Sequence, residues 1–343
     1  MPGGQTKSYG VTLVLALGVA GALMLLRTQW LRASPGNSNP AQWRMLEVNL
    51  PNGILPNGIV GVAFTSDGEA GAILANNGQV IVSQDGGIHW RKASTPIEES
   101  EMHFATCLAM PTPERVLFGT TVDDDSPYAE VYEVTAAGRK RVVWSGEYGG
   151  LLGASHDGQF FVGNNGLLLK IEGNTAHAVR APACGQVLLY GIAHHESRVI
   201  AVGTNGTTLI SEDGGRTWIC KQIDSNPELH RVAQADNVAL VAGAKGAIWR
   251  YEPSTGSWAK ASGTQSWMSV WALYLSPDGK EAYAAGGDVQ GNRPFMLHSS
   301  DGGRTWGQEP VGNGTSRIMG IGQGRAGIFA VTFDGHVLVR TDF

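Results

Sequence analysis

The string "SEDGGRTW" (residues 211–218) has two near-copies, "SQDGGIHW" (83–90) and "SSDGGRTW" (299–306). Their aspartates, Asp85, Asp213 and Asp301, lie 128 and 88 residues apart, which divides into three steps of about 43 and two of 44. A period of this size, with four strands per period, is the sequence signature of a β-propeller. A second pattern, a strand, a glycine-containing turn and another strand, locates the skipped periods. It occurs at 73–83, 117–134, 161–174, 200–211, 240–253, 282–300 and 328–343, which makes seven units. Their Asn-Gly, Lys-Gly and Asp-Gly pairs supply the positive φ that tight hairpins require.

The last unit reaches Phe343 after only three strands. The segment "QWRMLEV" (42–48) matches the residues at the end of the motif in other units, as in "HWRKAS" (89–94), and is expected to complete the final blade. Pairing the two ends of the chain removes the open edge of the ring. The expected fold is therefore all-β, a seven-bladed propeller over residues 42–343 closed by an N-terminal strand. Glycine, 48 of 343 residues, and the lack of helical periodicity beyond residue 40 agree with it. The formal charge of −5 argues against non-specific nucleic-acid binding, which needs a basic footprint.

After a tail at 1–8, residues 9–30 contain an uncharged run, Tyr9–Leu26, which as a helix would measure about 27 Å. It is read as a transmembrane anchor or uncleaved signal; Ala20-Gly-Ala22 offers a cleavage site as the alternative. Residues 31–41 form a Pro/Gly/Ser/Asn linker. The expectation is a single-pass membrane protein with an extracytoplasmic propeller, periplasmic or lumenal. Cys184 and Cys220 lie 36 residues apart and either pair in an oxidising compartment or stay as separate thiols. Asp123-Asp124-Asp125 is read as a solvated loop tip in preference to a calcium site. No metal, cofactor or catalytic residue is expected.

In the repeated motif Ser83, Ser211 and Ser299, with the aspartates, are placed to bond local N–H groups. Gly87, Gly215 and Gly303 permit the turn, and Trp90, Trp218 and Trp306 open the fourth strand. Thr217 and Thr305 complete two copies; His89 replaces the threonine in the first, which predicts a looser turn there. The string resembles the Asp-box, or bacterial neuraminidase repeat, and that resemblance implies a structural turn away from any active site. A sialidase-like glycosidase or a carbohydrate-binding propeller is the alternative reading. The Arg-Ile-Pro motif of sialidases is missing from "WRMLEVNLPNGILPNG" (43–58), and adjacent Glu147 and Tyr148 would face opposite ways on a strand.

Seven units with Asn-Gly hairpins followed by Asp-Gly-Gly-x-x-Trp turns resemble the photosystem II assembly and stability factor family over roughly residues 42–343. The resemblance implies a non-enzymatic, membrane-tethered scaffold, monomeric outside its complex, that binds subunits of a membrane-protein complex. Alignment of the repeats puts His103, Tyr148, Tyr190, His230, Arg231, Trp267 and Arg317 at one mouth of the central channel. In the resembling family an arginine patch on one face is implicated in client binding, which carries over here to Arg231 and Arg317. Both are expected to be exposed, because an unpaired guanidinium is costly to bury.

Overall fold

A computed structural model describes residues 43–46, 58–94, 97, 103–122, 128–147, 149–173, 175–180, 184, 187–223, 227–311 and 315–341. The tail, anchor and linker at 1–41, the aspartates at 123–125 and Tyr148 lie outside the described residues.

Seven four-stranded antiparallel sheets are arranged as a ring, each running outward from an inner strand. Blade 1 is β2 (Ile59–Phe64), β3 (Gly71–Ala75), β4 (Val80–Ser83) and β5 (Arg91–Lys92). Blade 2 is β6 (His103–Thr112), β7 (Arg115–Val122), β8 (Ala129–Thr135) and β9 (Lys140–Gly146). Blade 3 holds β10 (Leu151–Ala154), β11 (Phe160–Gly163), β12 (Leu167–Glu172) and β13 (Thr175–Arg180). Blade 4 holds β14 (Leu189–His195), β15 (Arg198–Gly203), β16 (Thr207–Ser211) and β17 (Ile219–Gln222). Blade 5 is β18 (Leu229–Ala235), β19 (Val238–Gly243), β20 (Ile248–Glu252) and β21 (Ser257–Lys260). Blade 6 is β22 (Ser269–Leu275), β23 (Ala282–Gly287), β24 (Phe295–Ser299) and β25 (Gly307–Glu309). Blade 7 takes β26 (Ile318–Gly324), β27 (Gly327–Thr332) and β28 (Val337–Arg340) from the end of the chain and β1 (Arg44–Leu46) from its beginning. The closing register is Arg44↔Val339, Met45↔Leu338 and Leu46↔Val337.

In six blades the second strand is buried along its length, as in β15, β19, β23 and β27, because both of its faces meet a neighbouring blade; β7 of blade 2 is partly exposed at Arg115 and Thr121. That is why these strands read as unbroken runs such as "RVIAVG" and "VALVAG" instead of alternating. The core therefore lies between blades: Ile200 and Val202 of blade 4 share one cluster with Ala239, Val241 and Tyr251 of blade 5. In blades 3, 4 and 5 the hairpin between second and third strands turns through Asn165, Asn205 and Lys245 at φ 54°, 55° and 57°. Asparagine tolerates this left-handed region, and lysine enters it at some cost.

The three repeated turns share one bonding scheme. Ser211 Oγ donates to Asp213 Oδ1 (2.8 Å) and accepts from Gly215 N (2.8 Å), while Asp213 accepts from Thr217 N (2.8 Å) and Oγ1 (2.6 Å). The tryptophan stands one residue before the fourth strand and donates Nε1 to the carbonyl of Gly87, Gly215 or Gly303. The first turn is not looser at its histidine: His89 Nδ1 lies 2.6 Å from Asp85 Oδ2, and its backbone N–H donates to Oδ1 at 2.9 Å, replacing the threonine contacts. The imidazole nitrogen reaches as far as the hydroxyl it replaces.

Cys184, in the link between blades 3 and 4, is joined to Cys220 of β17 with the Cα atoms 5.8 Å apart. The bridge closes a 36-residue span. Loop entropy assigns such a bridge about 3–4 kcal/mol. Reduction, or the Cys184→Ser/Cys220→Ser pair, is expected to lower the melting temperature by several degrees; an unchanged melt would show that the bridge contributes nothing to stability.

Candidate functional site: the channel and its mouth

The seven inner strands surround a central cavity of about 750 Å³. Each carries the same β-bulge near its beginning, where one extra residue interrupts the register. Those residues are Val60, Thr106, Leu152, Tyr190, His230, Trp271 and Met319. The residue after the bulge is small in six blades: Gly61, Cys107, Gly153, Gly191, Ala272 and Gly320. Space explains three of them, since an added Cβ would stand 2.6 Å from the Tyr190 carbonyl at Gly153, 2.8 Å from the His230 carbonyl at Gly191, and 2.7 Å from Val62 N at Gly320. In blade 5 the equivalent residue is Arg231.

Tyr190, His230 and Trp271 form an aromatic row across three blades. His230 stacks on Trp271 with centroids 4.1 Å apart and a 7° tilt, and Tyr190 meets His230 edge-on at 5.6 Å. His230 is buried rather than displayed; burial holds its imidazole below its ordinary pKa, and Nδ1 faces the Val270 carbonyl at 3.1 Å. Burial, and then the nearby Glu228, raise the pKa of the Tyr190 hydroxyl.

Arg231 lines the cavity, half-buried by surface area but ringed by the inner strands. That enclosure pulls its pKa below the ordinary value. Its Nη1 donates to the His230 carbonyl at 2.9 Å, and among the described residues no carboxylate pairs with it. The Cys107 thiol of blade 2, on the far side of the ring, is pushed up to about 12 by burial and so supplies no counter-charge at neutral pH.

The mouth where the inner strands begin carries two cation–ring pairs. The Arg317 guanidinium lies 4.4 Å from the centre of Phe333, with its Nε buried and, among the described residues, without a hydrogen-bond partner, and Arg293 lies 4.0 Å from the centre of Trp267. Trp267 also meets Phe295 edge-on at 5.6 Å, and the long blade 6 hairpin brings Gly287 and Gly291 against Arg317. Both arginines expected to be free are thus half-buried; one is enclosed by the channel and the other by an aromatic ring and a hairpin.

Of the eight exposed large hydrophobic side chains among the described residues, Phe104, Tyr128, Leu188, Val289 and Phe333 belong to loops or strand starts on this face. The other three, Met45, Val142 and Ile219, lie on outermost strands. Of these eight, Ile219 stands nearest the opposite face, directly after the Trp218 turn. That face holds the Asp85, Asp213 and Asp301 turns and the hairpins between first and second strands, stitched together by bonds such as Gly86 N to the Glu69 carbonyl (2.7 Å). His194–Asp157 (2.6 Å) and His195–Asp236 (2.7 Å) join neighbouring blades there.

Of the residues placed at the mouth from sequence, Tyr190, His230, Arg231, Trp267 and Arg317 fall at or just inside it. The backbone of His103 pairs with Val122 at the start of β6; its side chain, like Tyr148, is outside the described residues. Sequence reading missed Trp271, Arg293 and Phe333. Trp271 was detectable by aligning the units on the small residue after the bulge. Arg293 and Phe333 lie on hairpins whose lengths differ between units, so the repeat gives them no equivalent position.

Fold and mouth together define a closed seven-bladed propeller with one apolar, arginine-bearing face. No protein-family model and no curated protein matches the sequence. Solved structures do match. YCF48 bound to a D1 peptide is 18% identical, with a TM-score of 0.65, over 88% of this chain and 95% of that one. YCF48 from Cyanidioschyzon merolae is 16% identical, with a TM-score of 0.64, over 86% and 98%. The WD40 propeller domain of Doa1 is 14% identical, with a TM-score of 0.61, over 82% and 92%. The resemblance to photosystem II assembly factors therefore holds for the fold.

Proposed function

We propose that this propeller is a non-enzymatic binding module that holds a segment of a partner protein across the face where its inner strands begin, and so assists assembly or stability of a membrane complex. The observation that carries this reading is that five of the eight exposed large apolar side chains among the described residues lie on that face. Aromatic and arginine side chains are the usual anchors of protein interfaces, and Trp267, Arg293, Arg317 and Phe333 supply four in adjoining blades. One structure of the same fold, YCF48, was solved with a D1 peptide. The repeated turns, identified with Asp-boxes, would then serve the scaffold from the opposite side. Tethering through residues 9–30 and an extracytoplasmic location complete the proposal, and the Cys184–Cys220 bridge agrees with an oxidising compartment.

Detergent extracts of cells expressing tagged full-length protein would be compared with Trp267→Ala/Arg317→Glu. A discrete set of membrane proteins is expected with the wild type and at least about tenfold less with the variant, as for loss of a hot spot. Equal recovery by both would place the binding surface elsewhere.

The placement of Tyr190 beside Glu228, with Arg231 following His230, gives the glycosidase reading its one supporting observation. A sialidase of this type needs three convergent arginines and an acid/base aspartate as well. Among the described residues the cavity lining has two arginines, Arg231 and Arg325, the latter engaged with Glu69. No turnover of a fluorogenic sialoside is expected.

A further inference from the structure

Arg231 stands apart from the rest of the channel. The other six blades have Gly, Ala or Cys at its position, so the fold does not require a long side chain there. The surrounding wall is mainly apolar, with Val60, Leu108, Leu152, Val232, Leu273 and Met319 among its residues. Among the described residues, the one carboxylate lining the cavity is Asp67. It sits in the hairpin at the other end, where its Oδ1 accepts from the Thr65 hydroxyl (2.5 Å) and Glu69 N (3.0 Å). Arginine has five N–H donors, and among the described residues Arg231 makes a single hydrogen bond, to the carbonyl of the preceding residue. A guanidinium enclosed among apolar side chains without a counter-ion destabilises the fold unless an anion pairs with it.

We propose that Arg231 anchors a carboxylate-binding site inside the channel, whose ligand is a small organic acid with an apolar body. The planar guanidinium fork matches a carboxylate in two parallel hydrogen bonds. The aliphatic wall accommodates the remainder of the ligand, and about 750 Å³ is within the range of small-molecule sites. The site lies within the ring and is separate from the apolar face proposed for partner binding.

Benzoate and its neutral methyl ester serve as probes, with binding to the full-length protein measured by calorimetry and thermal melting. Wild type is expected to bind benzoate and melt higher in its presence, and to ignore the ester. Arg231→Ala, which installs the residue blade 6 already carries, is expected to bind benzoate at least about thirtyfold more weakly, as for one partner lost from an enclosed charge pair. Without ligand it is expected to melt no lower than wild type, because it removes an uncompensated charge. Arg231→Lys keeps the charge without the fork and should fall between the two. Trp267→Ala/Arg317→Glu should bind benzoate normally, so this site and the partner face can fail independently. Benzoate binding unchanged by Arg231→Ala, no binding by wild type at millimolar benzoate, or a lower melting temperature for unliganded Arg231→Ala would overturn the proposal. A peptide that binds through its free C-terminus but not as its amide, where benzoate does not bind, would also overturn it and assign the site to a chain end.

Discussion

Replacing Glu309 by glutamine, or Arg340 by leucine, is expected to destabilise the propeller by about 3–5 kcal/mol, a fall in melting temperature on the order of 5–10 °C. Glu309 is at the end of β25 in blade 6, and it holds the closure of blade 7. Arg340 of β28 donates Nη1 to its two oxygens at 2.6 and 2.8 Å, and Trp43, immediately before β1, donates Nε1 at 2.9 Å. His298 Nδ1 stands 3.2 Å away, with Nε2 2.6 Å from Glu281. Both strands that close blade 7 are thus pinned to one carboxylate, and Tyr283 fills the space between, edge-on to Trp43 at 5.7 Å and stacked on His298 at 4.7 Å. The Arg340 and Glu309 side chains are 8% and 15% exposed, so losing either breaks charge-assisted bonds that are largely removed from water. The Arg304–Glu252 pair is longer, 3.7 Å, and its arginine is 59% exposed; Arg304→Ala is the control and should change stability by less than about 1 kcal/mol.

The same cluster gives stability a pH window. Burial acts to raise the Glu309 carboxyl, but bonds from His298, Arg340 and Trp43 outweigh it and hold it at about 2. A depressed carboxyl contributes stability that is complete above its ordinary 4.5 and is lost as pH falls towards 2. His298 is shifted the other way, chiefly by Glu309, against burial and with help from Glu281. Its contribution is complete below the ordinary imidazole value of 6.5 and is lost as pH rises through the raised value. The closure is therefore strongest between 4.5 and 6.5, and Glu309→Gln should flatten stability on both sides of that window.

Trp306→Ala is expected to cost about 3–5 kcal/mol, the range for deleting a buried indole. The ring is 5% exposed and shares a cluster with Leu240 and Ala242 of blade 5 and Phe295 of blade 6. Its backbone N–H donates to the Ser262 carbonyl at 3.1 Å, and Ser262 N donates back to Arg304 O at 3.1 Å, so the turn also joins the two blades through the main chain. Asp301→Ala removes bonds to Arg304 N, Thr305 N and the Thr305 hydroxyl at 3.0, 2.9 and 2.7 Å, in an exposed turn, and should cost only about 1–2 kcal/mol. Chemical denaturation of the two variants checks the order. Partner recovery should survive both, because the turn lies on the face away from the mouth. A partner lost with Asp301→Ala at unchanged stability would make the motif a binding element instead of a brace.

Blade number and closure were legible in sequence because they rest on local chemistry repeated at a fixed period. Glycine pairs, Asp-x-x-x-Thr contacts and tryptophan positions each need only a few neighbouring residues. A further copy of that chemistry was readable and missed: Thr65-x-Asp67-Gly68, Ser155-x-Asp157-Gly158 and Ser276-x-Asp278-Gly279 form the same hydroxyl-to-carboxylate turn between first and second strands. The Glu309 cluster was not legible, since Trp43 and Glu309 are 266 residues apart and no repeat relates them. The exposure expected of Arg231 and Arg317 failed for the same reason. The surroundings of each guanidinium come from other blades and from a hairpin of irregular length, and position within a repeat carries no information about either.

The central claim, that partners are held on the face where the inner strands begin, is tested most directly by site-specific photo-crosslinking in membranes of the native host. A photoreactive residue would be placed at Val289 or Phe333 on the proposed face, and at Gln84 or Arg216 among the turns opposite. The account predicts adducts with a membrane-complex subunit from the first pair and none from the second. Adducts from Gln84 or Arg216 alone, or equally from all four, would contradict it.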